Sequence, residues 1–181
     1  MARSLARRAA ARGVDGATVL EIGGGVGEVL LELLKQGAQR GEVVEFLPAY
    51  EREANALAAE AGVADRARFR TADLVADAKS RDEADLVVMN KVVCCTPDGV
   101  ALAGIAAGLA RRTLVLSHPR ESLLARVGFG GANLWLRLTG KRFRVFLHAR
   151  AALESAIEAQ GLRLASERNG PLFRIGAYER P

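Results

Sequence analysis

Apolar and polar positions along the chain alternate between short apolar runs and longer stretches with helical spacing. Apolar runs typical of buried strands cover residues 17–22, 42–46, 68–71, 85–90 and 112–117. Stretches with helical spacing lie between them and cover residues 27–36, 48–60 and 98–110. Strands that alternate with helices are typical of a parallel sheet with helices on both faces. The pattern therefore predicts an α/β fold.

The last third of the chain departs from this alternation. Large apolar residues are interleaved with arginines over residues 120–148, and this pattern predicts an inserted cap. A helix and an antiparallel hairpin are predicted after it, over residues 149–160, 162–168 and 172–178. We expect one domain over residues 1–181, in three parts: a core over 14–119, the cap over 120–148, and the C-terminal helix and hairpin over 149–181.

Composition and charge add limits to this prediction. The chain has 181 residues and is 50% hydrophobic, which suffices for one sizeable core. Neither a membrane-spanning run nor the apolar block of a signal peptide is evident, so we expect a cytoplasmic protein that begins with a basic helix. The two cysteines, Cys94 and Cys95, are adjacent. They suit neither a disulfide nor a structural zinc site, and we expect no metal and two buried thiols.

Positive charge is concentrated in one part of the chain. The window from Arg111 to Arg150 holds nine Arg or Lys residues against one acid, Glu121. Its charge is therefore +8, and the remainder of the chain carries −3, since the whole chain carries +5. A local basic surface is expected.

The first predicted strand runs into a glycine-rich loop from Glu21 to Gly27. Glycines at Gly23, Gly25 and Gly27 permit a tight turn and let the backbone approach a nucleoside ligand. In an open parallel sheet, ligands lie beyond the carboxyl ends of the strands, where this loop is placed. A pyrophosphate would be repelled by Glu28, whereas a cofactor with sulfonium and ammonium groups would tolerate nearby acids.

This E-x-G-x-G-x-G loop resembles motif I of the class I S-adenosylmethionine (SAM)-dependent methyltransferases. The resemblance implies a Rossmann-like fold with a mostly parallel seven-stranded sheet, a C-terminal antiparallel hairpin and SAM as cofactor. It also implies cofactor-binding roles for a further set of residues: Glu45 on the ribose, Asp73 on the adenine amino group, Phe46 and Leu74 on the adenine faces, and Asn90. The family usually has a longer segment before the first strand than residues 1–16, so we expect incomplete cover over the cofactor.

The second half is loosely similar to magnesium-protoporphyrin O-methyltransferases and related small-molecule methyltransferases. The likeness lies in the strand over 114–117, the apolar and basic insertion, the step Phe146-Leu147-His148 and the closing hairpin. It favours an acceptor of small-molecule type.

Methyl transfer mainly requires an aligned nucleophile and exclusion of water, and a hydroxyl acceptor also needs a base. We expect His118 and His148 on the rim beneath the cap, with His148 the preferred base because the resemblance includes it. Acceptor contacts are expected from Lys91, Trp135 and Arg144, whose ring and charges suit a flat, apolar, anionic molecule.

Alternatives remain open at this point. The leading hypothesis is O- or C-methylation of a small molecule. The basic window also suits RNA, although Asn90 is followed by Lys91 instead of the proline of amino-group methyltransferases that act on nucleic acid. A non-catalytic SAM-binding partner protein and a homodimer are further possibilities.

Overall fold

The computed structural model describes residues 2–77 and 82–181. Seven strands form its single described sheet: β1 (Thr18–Ile22), β2 (Arg40–Glu45), β3 (Ala67–Thr71), β4 (Ala84–Asn90), β5 (Ala110–Pro119), β6 (Arg163–Asn169) and β7 (Phe173–Glu179). Six α-helices accompany them: α1 (Ala2–Ala10), α2 (Glu28–Lys35), α3 (Glu51–Glu60), α4 (Gly99–Leu109), α5 (Leu123–Leu138) and α6 (Arg150–Glu158).

The strand order is β3-β2-β1-β4-β5-β7-β6. Strands β1 to β5 are parallel to one another, and β7 pairs antiparallel with both β5 and β6. The order reverses between β1 and β4, so the carboxyl ends of these two strands flank the crevice where ligands bind in such sheets. The predicted seven-stranded sheet with its antiparallel hairpin is confirmed.

Two apolar layers cover the sheet because strand side chains alternate between its faces. One layer packs α4 and α6 against residues such as Leu114 and Tyr178. The other packs α1 and α2 against residues such as Val115 and Ala177. Helices therefore lie on both faces, as expected. The basic first helix is confirmed as α1, whose Leu5 is fully buried.

The cap segment folds into one 16-residue helix, α5, and an extended segment over residues 141–149. Ser122 begins the helix, since its hydroxyl accepts a hydrogen bond from the Ala125 N–H at 3.1 Å. Gly140, with a φ of 71°, ends it in the left-handed conformation that suits glycine after a helix. The side chain of Asn133 ties α5 to the extended segment, because it both donates to the Val145 carbonyl and accepts from the Val145 N–H, each at 2.8 Å.

Candidate active site

The glycine loop follows β1 directly and turns back into α2. Gly23, Gly25 and Gly27 have φ angles of 63°, 57° and 80°, a region that other residues rarely adopt. A Cβ at Gly23 would also lie 2.0 Å from a methyl group of Val92. All three positions therefore favour glycine for backbone conformation, and Gly23 needs it for space as well.

Glu21, the acid at the head of this loop, lies beneath it. The side chain is only 1% exposed, and its carboxyl group accepts a hydrogen bond from the Leu30 N–H in α2 at 2.7 Å. Burial raises the pKa of Glu21 to about 8, mainly by desolvation. Gly24 leaves room for this group, because a Cβ there would lie 2.6 Å from the carboxyl carbon. In this structure Glu21 braces the loop against the start of α2.

Glu45 ends β2 and reaches the same loop. One carboxylate oxygen accepts from the Gly25 N–H at 2.9 Å, and the other accepts from the Leu47 N–H at 3.1 Å. The carboxylate is thus fixed at the edge of the loop, where two acceptor oxygens can meet a diol. The structure brings together the glycine loop and Glu45, which the sequence placed at one site.

The residues predicted to contact the adenine differ in their exposure to solvent. Asp73 is exposed, and its carboxylate accepts from the N–H groups of Val75 and Ala76 at 2.9 and 3.2 Å. Phe46 is 65% exposed. Leu74 is only 4% exposed and packs in the apolar core, so little of its side chain is open to a ligand.

The end of β4 forms the far side of the crevice. The Asn90 amide oxygen accepts from the Ser117 hydroxyl at 3.1 Å, and the same hydroxyl accepts from the Lys91 N–H at 2.8 Å. Lys91 has a φ of 61°, a strained value for a residue other than glycine. Its ammonium lies 5.7 Å from the centre of the Phe173 ring, a cation–π distance.

The two adjacent cysteines differ in their surroundings. Cys94 is 5% exposed, as predicted, but the prediction that Cys95 is buried is wrong, since its residue is exposed. Both thiols donate to the Lys91 carbonyl, at 3.3 and 3.2 Å, in the turn that follows β4. The pKa of Cys95 is lowered, because the adjacent Cys94 thiol can donate instead to a Cys95 thiolate and so favour the charged form.

His148 lies two residues before α6 and faces the same turn. Its Nε2 is 3.0 Å from the Thr96 carbonyl, and its ring is stacked on Phe146 with centroids 6.3 Å apart. A carbonyl can only accept, so Nε2 carries the proton and Nδ1 of the neutral ring has a free lone pair. Phe146 is held there by its own N–H, which donates to the Cys94 carbonyl at 2.8 Å.

His118 is not on the rim, and the prediction that places it there is wrong. β5 continues through His118 to Pro119, so the imidazole is in the sheet and 2% exposed. Its Nδ1 lies 3.0 Å from the Pro119 carbonyl, and burial lowers its pKa. On β7 the residue opposite is Arg174, whose guanidinium forms ion pairs with Glu154 and Glu167. Because β5 extends two residues beyond the predicted strand, the His118 side chain is buried in the core beside the Arg174 guanidinium.

Trp135 and Arg144 were predicted to contact the acceptor. Trp135 is 62% exposed on α5. Arg144 is half-buried in the extended segment, and one of its guanidinium nitrogens donates to the Lys141 and Phe143 carbonyls at 2.6 and 2.7 Å. Arg144 thus belongs to the segment that leads to His148, whereas Trp135 belongs to α5.

A cleft of about 280 Å³ lies over the glycine loop. Its described lining contains two carboxyl groups, from Glu21 and Glu28, and no Lys or Arg: Glu21, Gly23, Gly24, Gly25, Val26, Glu28, Tyr50 and Asn90. Burial keeps Glu21 largely protonated near neutral pH, so the negative charge of this lining comes from Glu28. An acid without a neighbouring Lys or Arg in the lining disfavours a pyrophosphate and suits a cofactor with positive charges. The residues present therefore fit SAM.

Comparison with known proteins agrees with this geometry. Residues 1–167 match a family model described as a methyltransferase domain. The chain belongs to this family. With its fold and its relatives, this makes it a class I SAM-dependent methyltransferase, which is an enzyme.

Solved structures similar to this methyltransferase share its fold. One is the magnesium protoporphyrin IX methyltransferase of Synechocystis PCC 6803 with bound S-adenosylhomocysteine, at 22% identity and a TM-score of 0.76 over 99% of this chain and 80% of that chain. The same enzyme with bound SAM has 21% identity, a TM-score of 0.76 and coverage of 99% and 78%. An O-methyltransferase family protein from Burkholderia thailandensis has 19% identity, a TM-score of 0.78 and coverage of 99% and 56%. No curated protein matched the chain.

Two residues of this methyltransferase site escaped the sequence analysis. Tyr50 lines the cleft, with ring atoms 4.0 Å from where a Gly25 Cβ would stand. Ser117 joins the ends of β4 and β5 through the hydrogen bonds described above. Ser117 could have been found by its register, because it pairs with Asn90 at the ends of adjacent strands. Tyr50 lies in a 3₁₀ turn, Pro48–Tyr50, whose path the sequence does not indicate.

Proposed function

We propose that this methyltransferase transfers a methyl group to an oxygen or carbon atom of a small, apolar and anionic acceptor. The observation that carries the proposal is the orientation of His148, whose Nε2 donates to the Thr96 carbonyl and whose Nδ1 has no hydrogen-bond partner among the residues that the structure describes. The surrounding segment is cationic, with Lys141, Arg142 and Arg144 ahead of the histidine.

The cofactor site consists of the glycine loop and the acids around it. We assign the ribose hydroxyls to Glu45, the methionine end to the cleft over Gly23 and Gly25, and the adenine to the side of Asp73 and Phe46. Glu21 supports the loop from below. When bound, SAM supplies an electrophilic methyl group on a sulfonium, and the protein orients the acceptor and excludes water.

The acceptor would lie between the turn after β4 and the segment that carries His148. A hydroxyl acceptor becomes a stronger nucleophile when its proton passes to Nδ1, so His148 is the proposed general base. Arg144 and Lys91 supply positive charge for a carboxylate on the acceptor. Trp135 is not assigned a contact with this acceptor, because its side chain lies on the exposed side of α5.

The cofactor assignment is tested by calorimetry with SAM. Glu45→Ala removes the oxygens proposed to hold the ribose, and we expect the affinity to fall at least about tenfold, equivalent to about 1.4 kcal/mol. Glu53→Ala, which removes an acid from the exposed side of α3, is the matched control and should bind as the parent does. Equal affinities of the parent and the Glu45 variant would refute this assignment.

The acceptor class is tested by following methyl transfer from labelled SAM to a panel of aromatic carboxylic acids and phenols. We expect turnover with hydroxylated aromatic acids and a fall in kcat of about 10²-fold or more in His148→Ala, at unchanged SAM affinity. An unchanged kcat in the His148 variant would contradict the role of His148 as general base.

The basic window is the specific observation in favour of RNA as a second candidate acceptor. A short RNA belongs in the same panel, at low and at high salt. Methylation of the RNA, with a steep loss of binding as salt rises, would replace the small-molecule proposal.

A further inference from the structure

Helix α5 presents an unusually apolar surface to solvent. Of its 16 residues, Ala125 alone is buried. Six large apolar side chains along it are 58–78% exposed: Leu123, Leu124, Val127, Leu134, Trp135 and Leu138. We call these six residues the outer face. Single exposed leucines are ordinary, but six large apolar side chains exposed on one helix are of the kind that marks a binding surface.

Helical geometry separates the outer face from the side that packs on the protein. At 100° per residue, one stripe along the helix contains four of these residues, Leu123, Val127, Leu134 and Leu138. The other two, Leu124 and Trp135, lie next to this stripe. The half-buried residues of the helix fall on the opposite side: Phe129, Asn133 and Leu136. The outer face therefore points away from the rest of the molecule.

Positive charge borders this face. Arg126 and Arg137 lie along one edge of the stripe, and Lys141, Arg142 and Arg144 follow the helix. No Asp or Glu occurs between Glu121 and Glu154. The surface thus combines an apolar stripe, a single Trp and cationic residues along one edge and beyond the end of the helix, which is the composition of helices that lie in the surface of anionic membranes.

The structure also argues against two other occupants. A two-fold contact between copies would place one cationic border near another without acids to neutralise it. A soluble polyanion such as RNA would pair with the arginines and leave the leucines exposed. The 16 residues of α5 span about 24 Å, short of the about 20 residues needed to cross a bilayer, so the helix can lie only along a membrane. None of the helices among the described residues is long and apolar enough to span one.

We propose that the outer face of α5 docks this methyltransferase on the surface of an anionic lipid bilayer. The apolar stripe inserts at the boundary of headgroups and acyl chains, and Arg126 and Arg137 contact the lipid phosphates. Attachment is reversible, because it rests on one helix face and a few charges.

The test uses the full chain, whose only tryptophan is Trp135. Its fluorescence is recorded with vesicles of phosphatidylcholine and with vesicles of equal parts phosphatidylcholine and phosphatidylglycerol, and cosedimentation is measured in parallel. We expect a blue shift and cosedimentation with the anionic vesicles, little of either with the neutral ones, and weaker binding at high salt.

Variants assign the effect to the outer face. The double variant Leu134→Ser and Leu138→Ser keeps the tryptophan and should partition at least about tenfold less. Leu172→Ser, an exposed leucine beyond the cap, is the matched control and should partition as the parent does. Arg126→Gln with Arg137→Gln should weaken the preference for anionic vesicles while circular dichroism stays unchanged, since Lys141, Arg142 and Arg144 are retained.

Several outcomes would overturn the proposal. These are absence of binding to anionic vesicles, equal binding to neutral ones, and equal binding by the double Leu variant. A blue shift that appears without vesicles as the protein is concentrated would assign the face to a second copy instead. None of these readouts depends on catalysis, so they stand apart from the tests of the proposed acceptor.

Discussion

At the residue scale, Glu21 shows how burial changes the chemistry of a motif residue. The sequence pattern suggests an ionised acid beside a cationic cofactor, whereas the folded protein buries the group and raises its pKa to about 8. The folded state therefore binds this proton more tightly than the unfolded chain, in which the pKa is about 4.5. Binding of this proton therefore stabilises the folded state. This contribution to the free energy of unfolding is fully present below the unfolded pKa of about 4.5 and is lost as pH rises through the folded pKa of about 8.

We predict that the free energy of unfolding declines from pH 5 to pH 8 by up to roughly 1.4 kcal/mol per pH unit because of Glu21. Glu21→Gln, which keeps an acceptor for the Leu30 N–H, should remove this part of the decline and be more stable than the parent near pH 8. Urea unfolding across this pH range measures it, with Glu53→Gln as the control. Parallel curves for the parent and the Glu21 variant would contradict the prediction.

At the element scale, α5 depends on few contacts. Its outer face is exposed to solvent along most of the helix. On the other side, the Asn133 side chain forms two hydrogen bonds with the backbone of Val145 in the extended segment. The same segment continues to Phe146 and His148, so the position of the proposed base and that of the helix are linked through one asparagine.

We predict that Asn133→Ala increases backbone hydrogen exchange across α5 and residues 141–149 without a comparable change in the sheet. Removing both bonds should cost about 1–3 kcal/mol of local stability. Asn55→Ala, which removes a side-chain bond from Asn55 to the Glu51 carbonyl within α3, is the control. Unchanged exchange in the cap would show that other contacts hold it.

At the scale of the whole molecule, α1 belongs to the core and closes one face of the sheet. It packs against α2, β4, β5 and β7, elements from both halves of the chain. Leu5 is fully buried there, and the Arg12 guanidinium after the helix pairs with Glu179 of β7 at 2.6 Å. The first and last elements of the fold are therefore joined.

We predict that Leu5→Ala destabilises the whole protein by about 2–5 kcal/mol, because it leaves a cavity in the core. Arg12→Ala removes a partly exposed ion pair and should cost only about 1 kcal/mol. Urea unfolding followed by circular dichroism compares them. A Leu5 variant as stable as the Arg12 variant would show that α1 is a loosely attached arm.

Much of this architecture is determined by the sequence itself. The period of the apolar positions predicts the elements of the sheet to within a few residues, because a buried strand or helix face must be apolar at fixed spacing. The proximity of the glycine loop and Glu45 could also be predicted from the sequence, because the ends of parallel strands meet at one edge of the sheet. Their juxtaposition, with a bond of 2.9 Å between Glu45 and the Gly25 N–H, follows from local pattern and strand order.

Burial and side-chain direction were decided only by the tertiary structure. His118 and His148 follow similar apolar runs, yet His118 is buried beside Arg174, whereas His148 faces the turn after β4. The difference arises from where β5 ends and from the elements that pack on it, and neither is a property of local sequence. For the same reason the apolar residues over 120–148 predicted a cap but not which of them would be exposed, and the fold turns six of them outward. The sequence determines the sheet and the glycine loop, and the long-range packing decides which groups around that loop remain accessible.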